Sequence, residues 1–337
     1  MRKHIEKIIM AALIMATLAG AHLYVTFYTP ASRSAEPVSV NIERGASFRV
    51  IANRLERDGV IRSAGSFVFA ARLLGAYRKA QAGEYELNGS MAPIEILGML
   101  TGGMVKKYSV TVPEGYSVRE VAAMLERAGL ADGGEFVSRA FDPALALALG
   151  VQGQTLEGYL FPDTYHLTRG FSTDEIIRQM VERFKSVYTP AIEKAAEQRG
   201  MSMRKVVTLA SIIEKETGAS GERRTISAVF HNRLKKGIRL QSDPTVIYGI
   251  DGFDGNLKKK HLLGSDNPYN TYKRYGLPPG PIANPGRESL EAAVNPEKAD
   301  YLYFVSKNDG THYFSKSLKE HNRAVDTYQR KIGLAGQ

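Results

Sequence analysis

Hydrophobic and polar positions alternate in three distinct ways along this chain. Residues 8–28, IIMAALIMATLAGAHLYVTFY, contain no Asp, Glu, Lys or Arg, and an uncharged run of that length predicts a bilayer-spanning helix. Residues 203–218, MRKVVTLASIIEKETG, place Val206, Val207, Leu209, Ala210, Ile212 and Ile213 in a helical stripe, with Gly218 as a stop. On a helical wheel Lys215 falls opposite the stripe, while Glu214 and Glu216 fall on its two flanks, where core meets whatever lies beside the helix. Residues 223–235, RRTISAVFHNRLK, repeat the helical spacing through Ile226, Val229, Phe230 and Leu234.

The third pattern is a repeat. Residues 40–59, VNIERGASFRVIANRLERDG, align with residues 110–129, VTVPEGYSVREVAAMLERAG, at an offset of 70. Each reads as an alternating strand, a turn at Gly45 or Gly115, and an amphipathic helix closed by Gly59 or Gly129. Ser47 and Ser117 are the expected N-caps. Such small strand–helix units resemble the LysM module, which grips glycan strands; packing units or spacers are the plain alternative. Residues 82–88 read as a strand, 93–100 as a short helix and 173–200 as a long one. Residues 301–305 and 313–314 predict a hairpin about a 308–311 turn, and 316–331 a terminal helix. Residues 157–167, EGYLFPDTYHL, form an aromatic stretch turned at Pro162, with Glu157 and Asp163 as polar supports. Residues 240–248 and 268–286 read as loops.

The expected fold class is therefore α+β: one N-terminal transmembrane helix, LysM-like α/β subdomains, then a mixed catalytic domain with a glycan-binding cleft. The expected boundaries are 1–7 cytoplasmic, 8–28 anchor, 29–37 linker, 38–106 LysM-like subdomain, 107–150 second repeat unit, and 151–337 catalytic domain.

Composition narrows the function. The formal charge of +10 suits an anionic partner, yet there is no dense Lys/Arg run, which argues against nucleic acid. With no cysteine there is no thiolate nucleophile or thiolate metal site. The seven histidines show no ligand spacing, and neither metal nor cofactor is expected. Arg2, Lys3 and Lys7 keep the amino end in the cytoplasm and send the remainder across the cytoplasmic (inner) membrane, with Tyr24, Phe27 and Tyr28 at the far interface. A signal peptide cleaved near residues 18–21 is the competing reading; the apolar run continues beyond that point and favours an uncut anchor.

A carboxyl on the border of a core is partly desolvated, which lets it hold a proton near neutrality, as a general acid must. Glu214 and Glu216 both meet that description, and periodicity does not separate them. The two Pro-stiffened loops offer flat tyrosines (Tyr269, Tyr272, Tyr275) for pyranose rings and polar groups (Gln241, Asp243, Asn270, Asn284) for sugar hydroxyls and N-acetyl groups.

ASIIEKET at 210–217, HNRL at 231–234, LQSDPTVIYG at 240–249, YNTY at 269–272, GLPPGPIANPG at 276–286 and EGYLFPDTY at 157–165 together resemble the YceG-like family of endolytic murein transglycosylases. The resemblance spans essentially the whole chain, in layout more than in residues at its amino end. It implies non-hydrolytic cleavage of the β-1,4 bond between N-acetylmuramic acid and N-acetylglucosamine, leaving a 1,6-anhydromuramyl end. It places the catalytic carboxyl at Glu214 and leaves Asp243, Glu157 and Glu216 open as a second carboxylate. Implied partners are peptidoglycan glycan strands, membrane lipid and peptidoglycan synthases. A hydrolysing muramidase or a non-catalytic wall-binding scaffold are the competing functions.

Overall fold

The computed structural model describes residues 2–264 and 266–330. It is α+β: helices predominate, and the strands form three two-stranded sheets among the described residues. By their contacts the residues form two compact units. One comprises residues up to Ser109 with His166–Phe171; the other comprises Val110–Tyr165 with the residues from Ser172 onward.

In the first unit the helix Arg2–Tyr28 includes a candidate membrane span, His4–Tyr28, none of whose most apolar window is buried by protein. Its last turn puts Phe27 into a core with Phe48, Phe67, Tyr85 and Leu100. Strand Val38–Ile42 pairs antiparallel with Gly83–Leu87, Val40 facing Tyr85, so both point inward while Ser39 and Asn41 alternate outward. Between these strands lie helices Phe48–Arg57 and Ala64–Leu73, capped by the hydroxyls of Ser47 and Ser63.

The repeat extends further than its sequence trace. Strand Tyr108–Thr111, helices Val118–Arg127, Gly133–Ala140 and Pro143–Ala148, and strand Thr164–Leu167 follow nearly the same order, and the outer strands pair. Ser117 caps as Ser47 does, and Gly59 (φ +72°) and Gly129 (φ +65°) end the equivalent helices in the left-handed region. Ile51, Ala52 and Leu55 are buried, as are their counterparts Val121, Ala122 and Leu125. By contacts, residues 110–165 of the second copy belong to the unit that also contains Glu214.

That unit is built around the helix Met203–Glu216, of which the eight residues from Val206 to Ile213 are buried on every face. It is thus a central helix rather than one with a single apolar stripe. Its buried hydroxyls are satisfied: Thr208 donates to the Arg204 carbonyl (2.7 Å) and Ser211 to that of Thr208 (2.8 Å). Helices Arg223–Lys235 and Arg287–Val294 pack against it.

Three expected elements differ. The helix expected over 173–200 is two, Thr173–Val187 and Pro190–Glu197, because Pro190 cannot continue a helix but starts one well behind the Thr189 cap. Residues Asp243–Tyr248, expected as loop, form a short helix, with Pro244 tolerated in its first turn. The terminal helix ends at Val325, followed by a π-turn over Asp326–Arg330; residue 331 lies outside the described residues. The hairpin forms as Tyr303–Ser306 with His312–Ser315.

Candidate active site

Glu214 lies just past the buried run of its helix, with its side chain only 5% exposed. It accepts from the Arg223 guanidinium (3.2 Å) and from the Gly286 amide (2.9 Å). Both partners are donors, the setting of a carboxylate. Arg223 is itself buried and shared, reaching Glu288 (2.6 Å), the Ser289 hydroxyl (3.2 Å) and Glu114 (3.5 Å). The turn of the second repeat copy forms one wall: a side chain at Gly115 would stand 3.5 Å from Glu214, and the Gly115 carbonyl accepts from Lys215 (3.2 Å). At Gly286 a Cβ would meet the Glu114 carboxylate, which would have to swing away to admit it. Burial and the nearby charge of Glu214 push the Glu114 carboxyl above its usual range.

Two depressions adjoin this cluster. One, of about 430 Å³, is lined by Arg223, Arg224 and Glu288. The other, of about 680 Å³, is lined by Lys215, Tyr248, Tyr269, Arg119 and Asp251.

Glu216 is set differently. Burial raises its carboxyl to about 7, against the hydrogen bond from Ser242 (2.5 Å) and with the Asp243 charge adding to the rise. Asp243 accepts from the Tyr272 hydroxyl (2.6 Å), and Ser242 is held through its amide by the Thr271 hydroxyl (3.0 Å). Gln241, in left-handed backbone (φ +54°), takes an Arg233 donor on its side-chain oxygen (3.4 Å). Gln241, Asp243 and Tyr272 thus gather beside Glu216, and Tyr269 stands with Tyr248 (ring centroids 4.8 Å apart) in the larger depression.

The asparagines do not offer their amides to a ligand. Asn270 is fully buried and spends its amide on the carbonyls of Gly264 (2.7 Å) and Leu262 (3.1 Å) while accepting from the Tyr272 amide (2.9 Å). Asn284, also fully buried, donates to the Tyr116 carbonyl (2.8 Å) and accepts from the Leu160 amide (2.9 Å). Both were expected as sugar-binding groups. Instead they replace missing backbone partners inside irregular loops, which cannot otherwise be buried. The same need explains Gly158 (φ +87°), whose missing side chain admits Pro281 and Val207.

Glu157, expected as a cleft support, is fully enclosed at the start of helix Val118–Arg127, accepting from the Val118 amide (3.0 Å) and the Tyr248 hydroxyl (3.0 Å). Burial lifts its carboxyl to about 7. Asp163 instead pairs with Arg183 (2.6 Å) near the surface. Unfolded, a Glu titrates near 4.3, so Glu157 and Glu216 bind a proton more tightly in the folded chain. Their stabilisation is full below about pH 4.3 and is lost as pH rises to about 7. The thermal midpoint is expected to decline between pH 5 and 8, and Glu157→Gln with Glu216→Gln to flatten that decline in circular-dichroism melts. An equal decline in wild type and double variant would show that neither carboxyl is held up.

Sequence reasoning missed Arg223, Glu114 and Glu288. Arg223 reads as an ordinary helix-starting residue nine positions after Glu214. The one available signal was a difference between the repeat copies: Glu114 stands where the first copy has Arg44.

The sequence profile of the YceG-like family matches residues 40–327. An endolytic murein transglycosylase of Bacillus subtilis (strain 168) is 36% identical over 92% of this chain and 91% of its own length. One from Streptococcus pneumoniae (serotype 2, strain D39) is 28% identical over 96% of this chain, which spans 65% of that longer protein. A 2.6 Å crystal structure of a YceG-like protein from Listeria monocytogenes superposes with a TM-score of 0.59 at 35% identity, covering 86% of this chain and 99% of the other.

Proposed function

Because the chain belongs to the YceG-like family, we propose that the Glu214 cluster is the reaction centre of a membrane-anchored endolytic transglycosylase. The enzyme is a lytic transglycosylase, a carbon–oxygen lyase acting on peptidoglycan. The observation that carries the assignment of the centre is one nearly buried carboxyl, tied to a shared arginine and flanked by two open depressions.

In this reading Glu214, protonated with substrate in place, gives its proton to the glycosidic oxygen as the bond to the muramyl anomeric carbon breaks. The resulting carboxylate takes the proton of the muramyl C6 hydroxyl, whose oxygen closes onto the anomeric carbon and leaves the 1,6-anhydro end. One proton leaves and one returns, and no water is consumed. Because the nucleophile belongs to the substrate, positioning takes the place of activation, and the second carboxylate of a hydrolase is dispensable. Arg223 suits this cycle, since Glu114 and Glu288 retain its charge while Glu214 is neutral. Tyr269, Tyr272, Gln241 and Asp243 remain the sugar-facing candidates.

A second reading makes Glu216 the acid, because burial already holds its proton near neutrality. Single Gln variants of the two residues separate these readings.

In this reading the chain is anchored by His4–Tyr28 with the catalytic unit outside the cytoplasm, beside nascent strands and their synthases; the apolar span and the basic residues at its start support that orientation. The strand–helix–helix–strand order between Val38 and Leu87 supports the LysM-like reading.

The test is mass spectrometry of products released from purified peptidoglycan by the full chain in detergent. Internal fragments with 1,6-anhydromuramyl ends are expected. Reducing ends, one water heavier, would make the protein a muramidase, and bound but uncut polymer would make it a scaffold.

A further inference from the structure

A further cavity in the Glu214-containing unit lies away from the Glu214 cluster. It measures about 790 Å³ and lies at the start of the Glu214 helix, lined by Arg199, Arg204, Lys205, His231 and Lys235 with no carboxylate among its lining residues. Its remaining wall is apolar, from Met201, Leu234 and the Leu277–Pro279 turn. Arg199 donates to the Val294 carbonyl (2.5 Å), Arg204 to that of Pro279 and His231 to that of Ala293 (2.8 Å), so these side chains are fixed by neutral partners and keep their charge or polarity for the cavity. Among the described residues, Lys205 and Lys235 have no carboxylate within ion-pair distance. An adjoining depression that shares Arg199, His231 and Lys235 does hold two acids. These are Glu297, which takes the Thr225 hydroxyl (2.5 Å), and Asp300, which pairs with Lys316 (3.7 Å).

Four cations facing one cavity repel each other unless an anion joins them. In intact peptidoglycan the lactyl carboxyl of each muramic acid is closed into an amide by its peptide, so the sugars are uncharged and the anionic groups lie on the peptides. The geometry supplies the missing piece. The Glu214 helix and the helix Arg223–Lys235 form an antiparallel pair: Glu214 meets Arg223 at one end, and Arg204, Lys205 and Lys235 line the cavity at the other. Ten residues separate Arg204 from Glu214, which is about 15 Å along a helix axis. An extended peptide of four or five residues spans about the same distance.

We propose that this cavity binds the terminal carboxylate of the peptide carried by muramic acid, so that the enzyme recognises peptide-bearing strands over bare glycan. The inference rests on the reading of Glu214 as the reaction centre. Muramic acid seated there directs its peptide along the helix pair; the apolar wall receives the peptide's methyl and methylene groups, and the arginines and lysines receive its carboxylates.

The test compares two glycans of equal length, one with its peptides intact and one stripped of them by an amidase, both offered to the full chain in detergent. Stripping leaves only a short lactyl carboxylate beside each muramic ring, out of reach of a cavity about 15 Å along the helix. Wild type is expected to favour the intact strands in kcat/KM. Lys205→Gln with Lys235→Gln is expected to reduce that preference about fivefold, two partly solvated ion pairs having been removed. Equal cleavage of both glycans by wild type would overturn the proposal. So would a preference the double variant keeps. The free stem peptide provides a readout that needs no turnover: its binding, followed by calorimetry, should weaken in the double variant and on amidation of its carboxyl terminus. Binding there with no cleavage of either glycan would retain the cavity and reject the reaction centre. Inorganic phosphate displacing the peptide at equal concentration would instead identify a general anion site and overturn the peptide assignment.

Discussion

Glu214→Gln is expected to lower kcat by about a thousandfold, the middle of the range for loss of a general acid–base, with the thermal midpoint nearly unchanged. The isosteric amide can still accept from Gly286, and Arg223 keeps Glu288 and Glu114 as counter-charges, so the shape of the cluster survives while the transferable proton is gone. Release of anhydromuropeptides per unit time is the measurement. Glu216→Gln is the comparison: it keeps the Ser242 contact in kind and is expected to cost less than tenfold. If Glu216→Gln abolished turnover and Glu214→Gln did not, the assignment would reverse.

The second large effect is on stability. Arg223→Met removes the cation that Glu214, Glu288 and Glu114 share, leaving the nearly buried Glu214 carboxylate without its counter-charge. Breaking a buried pair from one side costs about 3 kcal/mol, which corresponds to a drop of about 10 °C in midpoint for a unit of this size. The defect comes from like charges in one place, and burial with the nearby Glu214 charge holds the Glu114 carboxyl above its usual range, so the defect should shrink as pH falls and Glu114 takes up a proton. Arg223→Lys is expected to recover part of the stability but not the forked contacts. Arg224→Met, next in sequence, loses only a contact to the Asn295 carbonyl and serves as the control. Melts of the three variants at pH 5 and pH 8 decide the matter; a pH-independent loss for Arg223→Met would mean packing rather than charge.

Much of this was legible beforehand, and the reason differs by element. The anchor, the repeat helices and the Glu214 helix are periodic, and their caps are local, so neighbours in sequence specify them. Pro190 and Pro244 were visible too; their consequence depended on which turn of a helix they occupied. The site was legible only in part. Glu214 is identified by the company of motifs, but Arg223, Glu114 and Glu288 join it from three separate segments, and no local pattern announces such a meeting. Asn270 and Asn284 show the opposite failure: a polar residue in a proline-rich loop looks available for ligand, yet burial of that loop commits the side chain to its own backbone.

The duplicated turn gives the chain an asymmetric history. Gly45 and Gly115 adopt the same left-handed backbone, φ +79° and +76°, so the two copies solve one local folding problem in the same way. In the later copy that turn abuts Glu214 and sends Glu114 to Arg223, whereas the earlier copy carries Arg44 at the matching place. The first turn is held through Arg44 by the Gly170 carbonyl (3.0 Å), whereas the second abuts a carboxyl nearly a hundred residues away. If Glu214 is the reaction centre, as proposed, a fragment able to cut a strand must begin ahead of Glu114. A fragment starting at residue 151 would keep every motif of the carboxyl-terminal half and still lack one wall beside Glu214.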